Sequence, residues 1–110
     1  WQVHLDRAAG NPSNIATLDT FDKTTHRGAF YNMSISDSNG GTLGNYETLD
    51  VRVTHDGTDP YVSVFGRTSS SGSDLATITA DISGDNVRLR GQINTSNTHE
   101  ITVVRRLIEV

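Results

Sequence analysis

Leu49-Asp50-Val51-Arg52-Val53-Thr54-His55-Asp56-Gly57-Thr58-Asp59-Pro60-Tyr61-Val62-Ser63-Val64-Phe65 reads as two strands around a turn. Leu49, Val51 and Val53 share one face, and Asp50, Arg52 and Thr54 share the other. That two-residue period belongs to a half-buried strand, not to a helix with its 3.6-residue repeat. Asp56-Gly57 is the preferred pair for a type I′ hairpin turn. The run from Tyr61 to Phe65 is expected to return antiparallel, with both aromatics in the core, because a small domain needs its large rings inside.

The same alternation extends outward. Ala29, Tyr31, Met33 and Ile35 alternate with Asn32, Ser34 and Ser36, which leaves Phe30 on the polar face. Ala76, Ile78, Ala80 and Ile82 form another apolar set, and Val87-Arg88-Leu89-Arg90-Gly91-Gln92-Ile93 repeats the pattern. The last run, Ile101 onward, adds Val104 and Ile108 to its second face, as a central strand does. Asn39-Gly40-Gly41, Ser69-Ser70-Ser71-Gly72-Ser73, Ser83-Gly84-Asp85-Asn86 and Asn94-Thr95-Ser96-Asn97-Thr98 punctuate these runs. Short turns between strands dictate antiparallel pairing, since parallel pairs need long crossovers. The expected fold is all-β: an antiparallel β-sandwich, jelly-roll-like or a flattened barrel, of about six or seven strands. Residues 1–14 are expected as an N-terminal arm or linker with at most one helical turn, and residues 15–110 as a single sandwich domain. The chain opens at Trp1 without an initiator Met, as a processed product or an excised domain would.

Composition narrows the function. The chain has 110 residues, a net charge of -4, no Cys and a single Lys. One core fits this length. Absence of Cys removes disulfide scaffolds, thiolate nucleophiles and Cys-bearing zinc sites. An acidic balance argues against nucleic acid, and no apolar run is long enough for a membrane helix. His4, His26, His55 and His99 lack the spacing that puts two ligands on one face. The Asp-rich turns at 37–40, 56–59 and 81–86 offer hard oxygens for calcium, but Asp, Asn and Gly are what turns require anyway. There is no nucleophile elbow and no phosphate-binding glycine motif, and only three Glu are available for paired-carboxylate chemistry. The expectation is a non-enzyme with no cofactor and no metal.

Surface residues are therefore the candidates. Phe30 and Trp1 are the aromatics expected outside, and they suit a subunit contact as well as a ligand. Arg88 and Arg90 share a face; they suit an acidic neighbour, or cross-strand partners among Glu47, Asp50 and Glu100. Trp1, Phe30, Arg88 and Arg90 form the expected contact set. Asn32-Met33-Ser34 and Asn94-Thr95-Ser96 are formal glycosylation sequons.

Residues 18–110 resemble a short β-domain of virion structural proteins (fibre, neck and tail-associated) from tailed phages of marine cyanobacteria. The likeness rests on Asp19-Thr20-Phe21-Asp22, Thr25-His26-Arg27-Gly28-Ala29-Phe30-Tyr31, Val53-Thr54-His55-Asp56-Gly57-Thr58 with Tyr61-Val62-Ser63, Leu75-Ala76-Thr77-Ile78-Thr79-Ala80-Asp81-Ile82 with Asn86-Val87-Arg88-Leu89, and Val103-Val104-Arg105-Arg106-Leu107-Ile108. The stretch 38–46 departs from it as a longer hairpin loop, and Asp59-Pro60 stiffens the start of the following strand. The resemblance implies a structural or assembly module of a virion tail fibre, neck or decoration protein. Such a module acts through contacts with copies of itself, often as a trimer, or with other virion proteins. It also implies an extracellular particle surface as the location. The alternative is a host-surface glycan-binding domain, which the loops 36–46 and 67–74 would serve. The resemblance assigns no functional residue.

Overall fold

The computed structural model describes residues 4–9, 15–39, 42–93 and 98–110, with side chains for 15–37, 44–93 and 99–110. The chain is an all-β sandwich without helix among these residues. Its strands are β1 (His4–Ala9), β2 (Ile15–Asp22), β3 (His26–Asn39), β4 (Thr42–His55), β5 (Pro60–Ser69), β6 (Ala76–Ser83), β7 (Asn86–Ile93) and β8 (Thr98–Glu109). One sheet runs β1-β8-β3-β4-β5 and the other β2-β7-β6. Every pair is antiparallel. First and last strands lie side by side, jelly-roll fashion, and β8 is central, as its two apolar faces require.

The core sits between the sheets. Ala29, Tyr31, Met33 and Ile35 of β3, Leu49, Val51 and Val53 of β4, and Ile101 and Val103 of β8 meet Leu18, Phe21, Ile78, Val87 and Leu89 of the small sheet. The alternation of β3, β4, β6, β7 and β8 thus selects the buried face in each.

Several expectations give way. Residues 4–9 form a strand along β8, with Leu5 opposite Val103, not a helical turn; a free sheet edge recruits whatever backbone can pair with it. β2 is a strand whose alternation is hidden. A bulge between Thr17 and Asp19 places Leu18 and Phe21, three residues apart, both inside. The stretch 38–46 is not a long loop: Asn39 pairs with Thr42 and Ser38 with Leu43, so the pairing of β3 with β4 runs on through these residues. The Asp56-Gly57 turn is not type I′. His55 pairs with Pro60, leaving a four-residue connection, and Asp56 does not have the positive φ that type I′ demands. Its carboxylate instead accepts from the backbone N–H groups of Thr58 (2.9 Å) and Asp59 (2.7 Å).

Tyr61 and Phe65 are exposed, at 53% and 42%; only Tyr31 of the three expected core aromatics is inside. In β5, Val62 and Val64 pair with Val53 and Val51; Val64 packs against the core while Val62 stays exposed at 39%, and alternation puts Tyr61 and Phe65 on the opposite face. Beyond Phe65 a bulge with Gly66 at φ 66 resets the phase and points Arg67 inward. A left-handed backbone at that position favours glycine.

Candidate functional site

Two polar clasps join the sheets. Arg67 of β5 bonds the buried carboxylate of Glu47 on β4 (2.7 Å) and the carbonyl of Ala76 on β6 (3.0 Å). Burial pushes the Glu47 carboxyl up from its ordinary value, against the opposing pull of Arg67. In the second clasp, Arg105 of β8 bonds both oxygens of Asp19 on β2 (3.1 and 3.0 Å), and the Tyr31 hydroxyl of β3 donates to the same carboxylate at 2.9 Å. Burial, then the Asp19 charge, raises the Tyr31 phenol far above its usual range.

Arg88 and Arg90 lie on the outer face of the small sheet. Arg88 Nε donates to Asp81 at 2.7 Å, a second nitrogen of Arg88 joins the other carboxylate oxygen, and Arg90 reaches the same group at 3.1 Å. Their cross-strand partner is therefore Asp81, which none of the sequence candidates named; Asp81 directly opposes Arg88 in the β6–β7 register. The Arg88 bonds hold the Asp81 carboxyl below its ordinary value. Arg27 donates to the His55 carbonyl at 3.2 Å. The turn carboxylates are engaged as well. Asp37 accepts the Asn45 N–H at 2.6 Å, and Asp56, pulled down to about 2 by its turn N–H groups, also accepts the Tyr61 hydroxyl at 2.9 Å. Among the described residues no group of three His, Asp or Glu could hold a metal ion.

The outer face of the large sheet is different. Register places Arg106, Phe30, Arg52 and Ser63 in one row across β8, β3, β4 and β5. The next row is Val104, Asn32, Asp50 and Phe65, and the one after it Thr102, Ser34, Thr48 and Thr68. The Arg52 guanidinium stands 4.5 Å from the centre of the Phe30 ring and 5.3 Å from that of Phe65, and Arg106 stands 5.8 Å from Phe30. Such stacks contribute about 0.5–1 kcal/mol each at exposed sites. Neither Arg52 nor Arg106 has a carboxylate or carbonyl partner among the described residues. A shallow recess of about 290 Å³ is lined by Phe30, Arg52, Thr54, Tyr61 and Ser63 together with the apolar Val53 and Val62. A second, of about 320 Å³, is lined by Asn32, Ser34, Thr48, Asp50 and Thr102 together with the apolar Met33, Leu49 and Val104.

The expected contact residues therefore scatter. Phe30 is exposed, at 38%, in the cationic row; Arg88 and Arg90 are on the opposite layer; Trp1 and the sequon at Asn94 lie outside the described residues. Asn32 of the other sequon donates to Asp50 at 2.6 Å. Sequence reading turned Arg52 and Phe30 outward but did not align them, because register between strands is not written in either strand alone.

No family model matches the chain, and no curated protein matches it. Solved structures do. The tailspike protein of Acinetobacter baumannii phage AM24 superposes with a TM-score of 0.51 at 12% identity, over 98% of this chain and 26% of that one. The tailspike protein of Acinetobacter phage vB_ApiP_P1 superposes with a TM-score of 0.50 at 17% identity, over 100% of this chain and 22% of its own. This chain thus spans about a quarter of the length of those tailspikes, and what it shares with that quarter is the fold.

Proposed function

We propose that this chain is a non-enzymatic structural module of a phage tail spike or fibre, carried on the outside of a virion and acting through contacts with copies of itself or neighbouring virion proteins. The observation that carries this reading is the exposed row of Phe30, Arg52 and Arg106 with Phe65 beside it, on a sandwich whose fold recurs in two phage tailspikes. Exposed rings backed by cations are typical anchors of a protein contact. A closed oligomer would bury them. Of the residues expected to make contacts, Phe30 is the one on which the reading rests, since Arg88 and Arg90 already have Asp81. Light scattering tests it. An oligomer that dissociates on Phe30→Ala supports the proposal, and a monomer persisting at high micromolar concentration in the parent protein overturns it.

A second reading, recognition of a host-surface glycan, is favoured by one feature: guanidinium groups beside exposed rings with their hydrogen-bond donors still unengaged. The Ser36–Tyr46 stretch does not supply a loop for it, since most of it is paired as strand; the sheet face does.

A further inference from the structure

β5 ends the large sheet, and one edge of its backbone has no strand beside it among the described residues. Which groups lie on that edge follows from the hairpin. The Asp56 N–H donates to the Asp59 carbonyl at 3.2 Å, His55 then pairs with Pro60, and Pro60 has no N–H to give. Hydrogen-bonded and non-hydrogen-bonded pairs alternate in an antiparallel ladder. Tyr61, Ser63 and Phe65, opposite Thr54, Arg52 and Asp50, therefore turn their N–H and C=O groups toward β4. Val62 and Val64 turn theirs away from it.

This free stretch is short and bounded. Pro60 stands at one end, and Gly66, at φ 66, marks the bulge at the other. Between them no residue is charged. Sheet edges are ordinarily guarded by charges, prolines or bulges. The other strands that end a sheet all carry charge: Asp6 and Arg7 on β1, Asp19 and Asp22 on β2, Asp81 on β6. On β5 the proline and the bulge limit the length of the open edge but leave its middle unguarded, with Tyr61, Val62 and Phe65 exposed.

The edge reads nearly the same in both directions: Tyr61-Val62-Ser63-Val64-Phe65. Antiparallel pairing with a copy of itself, about a two-fold axis at Ser63, sets aromatic opposite aromatic, valine opposite valine and serine opposite serine. In that register Val62 faces the other copy's Val64 as a hydrogen-bonded pair, so every N–H and C=O left open on this stretch finds its complement. Tyr61 meets the other copy's Phe65 on one face. Val62, exposed although it shares the face of Val64, is covered by the other copy's Val64 on the opposite face. A two-residue slip either way brings Pro60 or the Gly66 bulge into a hydrogen-bonding position, so the register is specified.

We propose that two copies of this chain join through β5, edge to edge and antiparallel about Ser63, making one continuous sheet from the two large sheets. The contact is isologous, the same patch serving both copies. The inference shares with the reading above the meeting of copies, but it uses the strand edge and not the row of Phe30, Arg52 and Arg106.

The test combines cysteine cross-linking with light scattering on the full chain, which has no Cys of its own. Residues facing each other in a non-hydrogen-bonded pair stand about 4.5 Å apart at Cα, within disulfide reach. Ser63→Cys is therefore expected to form a disulfide-linked dimer under mild oxidation at least about tenfold faster than Thr58→Cys, which is exposed in the adjacent turn. Val62→Pro removes an outward N–H that the β4 ladder does not use, and is expected to weaken the dimer at least about tenfold. Ser63→Lys sets like charges opposite each other across the axis. It is expected to dissociate the dimer with the melting temperature of the monomer kept, and it carries the test should Val62→Pro fail to fold. Equal cross-linking of Ser63→Cys and Thr58→Cys overturns the proposal, as does a parent that stays monomeric at high micromolar concentration. An oligomer that dissociates on Phe30→Ala but withstands Val62→Pro and Ser63→Lys overturns the edge and leaves the Phe30 contact standing. A dimer that forms the Ser63→Cys cross-link and withstands Phe30→Ala supports the edge and moves the contact away from Phe30.

Discussion

Arg67 Nη1 stands 2.7 Å from Oε1 of Glu47, and the second terminal nitrogen of the same guanidinium reaches the Ala76 carbonyl of the opposite sheet. One side chain thus ties β4, β5 and β6 together where the two layers meet. The carboxylate it neutralises is buried, with its other oxygen unpartnered. Breaking such a pair from one side leaves a charge in a poorly solvated place.

Arg67→Met is therefore expected to destabilise the fold by about 2 kcal/mol near neutral pH, less than a fully buried pair because Arg67 itself reaches solvent. The sign with pH follows from Glu47. Its folded pKa is raised above 4.5, so the folded state holds the proton more tightly. The stability this proton confers is present below the unfolded value and lost as pH rises through the folded one. Without Arg67 the carboxyl rises further, and stability is regained on mild acidification. Urea denaturation at neutral and mildly acidic pH checks this; Glu47→Gln is expected to flatten the pH dependence.

The Asp19 clasp is expected to behave as a unit. Tyr31→Phe removes one hydrogen bond to a carboxylate and should cost about 1.5 kcal/mol. Asp19→Ala leaves the Tyr31 hydroxyl without its acceptor and Arg105 with only the Thr20 carbonyl, and should cost about 3 kcal/mol. A double-mutant cycle between the two positions is expected to be non-additive; additive losses would show that Tyr31 is held by packing alone.

Asp56 is expected to titrate near 2 in a carboxyl-carbon NMR experiment. Because its folded value is depressed below 3.8, the turn it organises gains stability above the unfolded value and loses it as pH falls through the folded one. Asp56→Ala should remove that acid-side slope and leave the neutral-pH fold intact.

Leu18 fills the space over Gly91, where an added Cβ would stand 2.9 Å from the Leu18 methyl. Leu18→Ala should cost about 3 kcal/mol through the cavity left. Gly91→Ala should cost about 1–2 kcal/mol through crowding. The double variant is expected to be less destabilised than the sum, since the new methyl enters the emptied space; thermal denaturation of the four proteins decides it.

Local chemistry was legible from the residues. A side chain's face within its own strand depends only on its parity, so β3, β4, β6, β7 and β8, their buried sets, and the outward positions of Phe30, Arg52, Arg88 and Arg90 follow from alternation alone. Phe65 was expected inside on the rule that large rings go to the core, and that rule was the weaker guide: Val64 packs against the core from β5, and its neighbour Phe65 is left on the outer face. Three things needed the folded chain. Bulges at Leu18 and Gly66 shift phase by one residue, and so decide that Leu18 and Phe21 are both core and that Arg67 meets Glu47. Pairing partners depend on two segments at once: Asp81, not Glu47, faces Arg88 across the short β6–β7 hairpin, and residues 4–9 are a strand beside the distant β8. Cross-strand register alone aligned Arg106, Phe30 and Arg52 into one row: each residue states its face, but its neighbours on the next strand are chosen by the packing of the whole sandwich.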